Sequence, residues 1–301
     1  MPMKIAYLIL AHANPRHLKR MVETLSCEDC SFFIHIDRKV DINAFSAISG
    51  PNVSFIKNRL TISWAEYSLV EATLLLIREA LASPSRPEYL VLLSGSDFPL
   101  RTKEYIHRFF EDHRGCEFIG IVKIPSREAG IKLSHINVLH IPVERPLLRF
   151  IVRVFAKFGF ARLDYRSELR SMEPFGGSQW WALSSEACRY VIDFARDHPE
   201  ICRFFSKTSA PDETFFHTVL GNSELRSSIT RNLMYEDWQA GTPHPNPIGE
   251  SHLAYFRGRD KVLADDVFGA GELLFARKLS DETLLISQQL AELAKQKDQA
   301  A

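Results

Sequence analysis

Glu88–Asp97 reads E-Y-L-V-L-L-S-G-S-D. An apolar run this short, closed by Ser94-Gly95-Ser96-Asp97, is a strand buried on both faces that breaks at its carboxyl end. The same kind of run recurs on either side, at Lys4–Ala11, Ser31–Ile36, Val53–Ile56 and Glu117–Val122. Between these runs the period changes. Asn14-Pro15 opens a helix to about Leu25, with proline at its first position. Leu69, Ala72, Leu76 and Ala80 place one apolar face along a helix over Ala65–Ala82, and Thr102–Asp112 forms another. Strand alternating with helix predicts an α/β fold, a mainly parallel sheet flanked by helices. Ligands of such sheets sit beyond the carboxyl ends of the strands. Asp37 and Ser94–Asp97 occupy such ends.

The rhythm breaks over Pro125–Glu173. Within it, Arg149, Arg153 and Lys157 stand four apart, with Arg162 further on, while Phe150, Ile151, Val154, Phe155 and Phe158 take the other side. A basic amphipathic helix over 147–162 suits an anionic membrane or acceptor, or is an ordinary surface helix packed by its aromatics. Gly176–Ser184 reads as a strand entered through two glycines, followed by a helix over Ser185–Arg196. Leu225–Tyr235 is extended, Gly241–Glu250 is loop, and Glu272–Lys278 is a short apolar segment ending in two cations. Asp281–Ala301 predicts a polar closing helix that frays.

The 301 residues carry 37 basic and 37 acidic side chains, so net charge offers no hold on nucleic acid. No apolar run approaches the roughly 20 residues that span a bilayer. The opening M-P-M-K-I-A-Y-L-I-L-A-H-A imitates a signal peptide, but its apolar core is too short and its basic region a single lysine; a buried first strand fits better. Five cysteines include Cys27 and Cys30 in C-E-D-C, with no second pair to complete a zinc site. They read as reduced thiols of a cytoplasmic protein, with a redox or metal role as the alternative.

Ser206–Leu220, S-K-T-S-A-P-D-E-T-F-F-H-T-V-L, places two carboxylates where a helix begins. Ser209 or Asp212 would cap that helix, Pro211 suits its first position, and Phe215, Phe216 and Val219 anchor it. Asp212 and Glu213 are then either a charged first turn or a rigidly mounted general base. Trp180, Trp181 and Trp238 are either core residues or flat platforms for sugar rings. Arg257, Arg259, Lys261, Arg277 and Lys278 form a late group of cations flanking V-F-G-A-G, suited to diphosphate oxygens or to solvent. D-x-D, the usual carboxylate pair that holds a divalent metal on a nucleotide-sugar, is missing, as are a P-loop and G-x-G-x-x-G.

Taken together, A-Y-L-I-L-A-H, I-H-I-D-R-K, S-G-S-D-F-P-L-R-T, G-G-S-Q-W-W-A-L-S, S-A-P-D-E-T-F-F, Y-E-D-W and L-F-A-R-K follow one another in an order that resembles the core-2/I-branching β-1,6-N-acetylglucosaminyltransferase and peptide xylosyltransferase family. The resemblance spans about residues 3–280 and is nearer to bacterial members without the animal enzymes' membrane anchor and luminal disulfides. It implies a single GT-A-type, Rossmann-like domain over 1–280, with 123–173 as a variable acceptor-side insertion and 281–301 as a C-terminal helix. It also implies an inverting glycosyltransferase that uses a UDP-sugar, carrying GlcNAc or xylose, without a divalent metal or other cofactor. Glu213 would be the base and Lys278 would bind the donor diphosphate, with Arg257, Arg259 and Lys261 competing for a second cationic role. Asp37 would recognise the uracil side, and Ser94, Gly95 and Asp97 would shape the donor pocket. Gln179, Trp180, Trp181, Asp212, Tyr235 and Trp238 would face a glycan or lipid-linked acceptor. A glycosidase using Asp212 or Glu213, or a non-catalytic carbohydrate-binding protein, are the rival readings.

Overall fold

The structure is a computed structural model that describes residues 3–141, 145–239, 242 and 244–300. Its strands, in chain order, are β1 (Ile5–Ala11), β2 (Cys30–Ile36), β3 (Val53–Phe55), β4 (Tyr89–Ser94), β5 (Asp97–Pro99), β6 (Glu117–Phe118), β7 (Ile121–Lys123), β8 (Phe175–Gly177), β9 (Ala182–Ser184), β10 (Ile229–Thr230), β11 (Met234–Glu236), β12 (Leu263–Asp266), β13 (Gly269–Glu272) and β14 (Phe275–Arg277). Seven of them form one sheet in the order β10-β6-β9-β4-β1-β2-β3. β1 to β4 are parallel where they pair, β10 is parallel to β6, and β9 runs against both neighbours. The expected α/β fold with a mainly parallel sheet is what the chain adopts.

Every residue of β1 and β2 is buried, because helices cover both faces. Helix Ser68–Ala82 packs on β1, β2 and helix Ser185–Asp197, and helix Pro15–Leu25 packs against the C-terminal helix Leu284–Ala300. Leu8 and Ile34 are fully enclosed in this core. Cutting either back to alanine costs about 2–5 kcal/mol.

Several boundaries differ from expectation. The run Glu117–Val122 is split into β6 and β7, and Gly176–Ser184 into β8 and β9, because β7 and β8 leave the main sheet to pair with each other. Leu225–Tyr235 begins as a 3-10 turn, Glu224–Ser228, before its two short strands. The closing helix is packed rather than frayed: Ile286, Leu290, Leu293 and Ala294 are buried. Asp298 on that helix accepts from Thr102 and pairs with the buried Arg101 at 3.8 Å.

Cys27 and Cys30 are joined by a disulfide, where the sequence reading expected reduced thiols. The tight turn between helix Pro15–Leu25 and β2 brings their Cα atoms to 5.2 Å, inside bridging distance. Among the described residues, no helix is long and apolar enough to cross a membrane.

Candidate active site

The carboxyl ends of β1, β2 and β4 lie at one edge, with Ala11 opposite Ile36 and Leu10 opposite Ser94. The Asp37 N–H donates to the Ala11 carbonyl at 2.9 Å, and the Gly95 N–H to Leu10 at 2.9 Å. Only glycine fits at 95, since a Cβ there would stand 2.8 Å from the Ala11 Cβ. Beyond this edge opens a cleft of about 730 Å³.

Asp37 lines the cleft, its Oδ1 accepting from the Lys39 N–H at 2.9 Å and its Oδ2 3.6 Å from the Lys39 ammonium. Ser94 lines it as well. Asp97 lies beneath, fully enclosed, accepting at 2.6 Å from both the backbone N–H and the hydroxyl of Ser94. It shapes the turn and does not touch the cleft.

A second sheet, β11-β14-β5, brings the cations. Its register sets Arg277 beside Asp97 on one side and Glu236 on the other. The Arg277 Nε lies 3.6 Å from Asp97 Oδ1 and 3.8 Å from Glu236 Oε1, and makes no hydrogen bond to either. Its guanidinium also stacks 4.1 Å over the Trp180 ring. Burial raises the pKa of both acids, with Arg277 opposing the rise. Lys278 follows directly, joined to Arg277 by a cis peptide, and lines the cleft. Burial and the Arg277 charge together lower its pKa.

Glu213 reaches the same cleft from a 3-10 turn, Pro211–Glu213, followed by the helix Phe215–Gly221. The expected caps are not made; the turn is entered through Ala210 in the left-handed region at φ 49° and is closed by backbone bonds. What holds the helix is burial: Phe215, Phe216, Val219 and Leu220 are all enclosed. β8 passes close by, and Gly177 in it admits no side chain, because a Cβ would lie 1.7 Å from the Gly120 carbonyl oxygen. Burial pushes the Glu213 carboxyl up to about 8, reinforced by the charges of Asp212 and Glu236. The adjacent Asp212 is itself raised by burial. A carboxyl held this way, opening onto a cleft, is suited to proton transfer near neutral pH.

The predicted residues divide accordingly. Asp37, Ser94, Gln179, Trp180, Glu213, Trp238 and Lys278 line the cleft. Gly95 and Asp97 support it from below, and Asp212 sits behind Glu213 with its Oδ1 unpartnered. Trp181 points away into the core, 2% exposed and 5.8 Å from the Phe216 ring, because neighbours in an extended segment face opposite ways. Tyr235 packs against Tyr255 and Phe256 and does not line the cleft.

The two arginines are corrections. Helix Glu250–Arg257 buries Leu253 and Phe256, which turns Arg257 outward to solvent, and Arg259 lies exposed over the Tyr255 ring at 3.7 Å. Neither lines the cleft. Lys261 faces a separate cavity of about 580 Å³ and pairs with Glu272 at 3.6 Å. Arg277 is the arginine that lines the cleft, beside Lys278. It stood among the late cations, but only the pairing of β14 with β5, across 180 residues from Asp97 to Arg277, brings it to the site. Glu236 and Trp64, the latter 62% exposed at the mouth, also line the cleft and were missed as site residues. Glu236, within Y-E-D-W, reaches the site only through the pairing of β11 with β14, which sets it opposite Arg277.

Comparison with known proteins adds the family. The family model described as Core-2/I-Branching enzyme matches residues 5–254. The chain is 27% identical over 249 residues to xylosyltransferase 2 of Homo sapiens and 23% identical over 247 residues to a xylosyltransferase of Ciona intestinalis, covering 79% of this chain in each case. It spans only 27% of the length of each of those relatives. Among solved structures, a 4-diphosphocytidyl-2C-methyl-D-erythritol synthase is similar at 11% identity and a TM-score of 0.35, over 67% of this chain and 84% of that one. With most of its length inside a single family model, this chain belongs to the Core-2/I-Branching enzyme family.

Proposed function

We propose that the protein is an inverting, metal-independent glycosyltransferase that moves a sugar, GlcNAc or xylose, from a UDP-sugar to a hydroxyl of a glycan or lipid-linked acceptor. One observation carries this reading: a half-buried carboxyl, Glu213, and a pair of adjacent cations, Arg277 and Lys278, line the same cleft. Inversion is a single displacement at the anomeric carbon. Glu213, ionised, takes the proton of the acceptor hydroxyl as its oxygen bonds to that carbon. The bond from the carbon to the diphosphate breaks, and the departing charge falls on Lys278 and Arg277. Arg277 is held in the wall of the cleft for this by Asp97 and Glu236, on either side of its Nε.

Asp37, at the end of β2, would meet the base of the donor, while Trp238 and Trp64 offer faces to the acceptor at the mouth. The absence of a D-x-D triplet and the presence of two cations in the cleft support a leaving group neutralised by side chains. In the relatives, the name xylosyltransferase supports a sugar of that class as donor.

The reading extends to a cytoplasmic chain that touches an anionic membrane through 147–162. Its support is exposure: on and after helix Pro146–Lys157, Leu147, Phe150, Phe155, Phe158 and Phe160 are 72%, 65%, 52%, 75% and 64% exposed. Of the expected cations, the side chains of Arg149, Arg153 and Lys157 lie outside the described residues. Arg162 is spent on the helix end, its Nε donating to the Ala156 carbonyl at 3.1 Å.

The test is turnover against a panel of nucleotide-sugars. UDP released only when an acceptor is present supports a transferase. Hydrolysis of glycosides would make it a glycosidase, and sugar binding without any turnover a carbohydrate-binding protein.

A further inference from the structure

The Cys27–Cys30 turn lies at the opposite end of β2 from Asp37, seven strand residues or about 20 Å from the cleft. Cys27, Cys30 and His107 are a group whose ligand atoms lie within 4.8 Å of one another. His107, on helix Lys103–Asp112, aims its Nε2 at both sulfurs, 3.3 Å from Cys27 and 3.2 Å from Cys30. The Met3 backbone lies against the same ring. The turn is fixed too: the Asn52 amide donates to the carbonyls of Cys27 and Cys30 at 3.3 and 3.0 Å, and Lys103 to the Ser26 carbonyl at 2.7 Å. Asp29, Glu104 and Glu111 turn negative potential toward the imidazole.

A structural staple does not account for this arrangement. A bridge between residues three apart closes so short a loop that it restricts the unfolded chain very little. Nor does a staple need an imidazole nitrogen directed at both sulfurs. Two thiolates and one imidazole on a fixed frame are a ligand set for zinc and similar cations. Tetrahedral zinc with sulfur at about 2.3 Å and nitrogen at about 2.1 Å requires a nitrogen–sulfur separation of roughly 3.6 Å. The two separations present are within a few tenths of an ångström of that value.

We propose that Cys27, Cys30 and His107 form a redox-gated site for one divalent, thiolate-binding cation of the zinc class, separate from the cleft. The disulfide is its closed form. A dithiol reductant delivers two electrons and two protons; the S–S bond breaks, two S–H groups form, and the reductant becomes a disulfide. The cation then displaces both thiol protons and binds two thiolates and His107 Nε2, with water completing the tetrahedron. In reverse, a disulfide oxidant takes two electrons from the thiolates, their S–S bond re-forms, and the cation leaves. Occupancy ties helix Lys103–Asp112 to the start of β2, so metal binding appears as stability.

The whole chain, reduced with a phosphine and moved to metal-free anaerobic buffer, is titrated with Co²⁺. Thiolate-to-cobalt absorption should saturate at one ion per chain, be bleached by one equivalent of Zn²⁺, and be absent from the oxidised chain. It should vanish in Cys27→Ser/Cys30→Ser and persist in Cys116→Ser/Cys202→Ser. His107→Gln should lower affinity by at least about tenfold. Oxidised glutathione added to the zinc-loaded wild type should release the zinc to a chromogenic chelator and lower the melting temperature. This last arm needs no variant to fold. No cobalt–thiolate absorption in the reduced, folded wild type, its survival in the double serine variant, or no zinc release on oxidation each overturns the proposal.

Discussion

Replacing Glu213 by glutamine should cost the protein its activity and increase its stability, by an amount that depends on pH. Burial and the charges of Asp212 and Glu236 lift this carboxyl from 4.5 to about 8. A folded-state pKa above the unfolded one means that the folded protein holds the proton more tightly, so stability is full below the unfolded value and falls as pH rises through the folded one. At about 1.4 kcal/mol per pH unit, raising pH from 5 to 9 removes on the order of 4 kcal/mol of wild-type stability through this one group. Glutamine mimics the protonated form and carries no such loss. Asp212 is present in both proteins; without a charge at 213 it ionises more readily, which acts in the same direction. At roughly 2 °C per kcal/mol for a chain of this size, the variant should gain about 8 °C on the wild type between pH 5 and pH 9. The assay is calorimetric melting of both proteins at pH 5, 7 and 9, alongside transfer rates, which should fall about 10²- to 10⁴-fold. A melting difference that does not change with pH would show the carboxyl to be solvated in the folded protein. A variant that keeps its rate with saturating acceptor would remove Glu213 from the base position.

Other predictions follow from the same cleft and from the exposed helix. The acid limb of kcat/KM should lie near pH 8, falling about tenfold per pH unit below it, because Glu213 must be ionised to act; a limb near the ordinary carboxylate value refutes this. Lys278→Ala and Arg277→Ala should weaken donor binding at least tenfold, measured by calorimetric titration with UDP, while Arg257→Ala and Arg259→Ala leave it unchanged. Turnover should continue in excess EDTA, and its abolition by EDTA with recovery on adding Mn²⁺ would overturn the metal-independent reading. Co-sedimentation with anionic vesicles at low salt, lost at high salt and in Phe150→Ser/Phe158→Ser, checks membrane contact; equal binding to neutral vesicles speaks against it.

The central sheet was legible because β1, β2 and β4 are buried on both faces, so apolar runs alone mark them. Asp37 and Ser94 followed from position, since strand ends in a parallel sheet converge. Glu213 was legible as a carboxylate on a packed anchor, although the caps read from Ser209 and Asp212 are replaced by backbone turns. What stayed hidden depends on pairings between distant segments. Arg277 and Arg259 are both cations late in the chain, and only the register of β14 against β5 selects the first. Trp180 and Trp181 likewise differ only in which way each faces, a choice set where the chain passes from β8 in one sheet to β9 in another. The closing helix looked frayed because its composition is polar; its stability comes from the buried stripe of Ile286, Leu290, Leu293 and Ala294, and Asp298 adds a contact to an arginine nearly 200 residues earlier.

The pairing of β14 with β5 has a consequence for how the protein is made. Asp97 and Asp37 emerge early in synthesis, with the parallel core able to form around them, while the two cations that complete the cleft come at 277 and 278. Closing so long a loop is entropically slow and comes after the local contacts are in place. A chain that stops before these two cations therefore carries the central sheet and a hollow that keeps Lys39 but lacks the adjacent pair a diphosphate would meet. Affinity for a nucleotide-sugar would thus appear only once residues 277 and 278 have joined the fold.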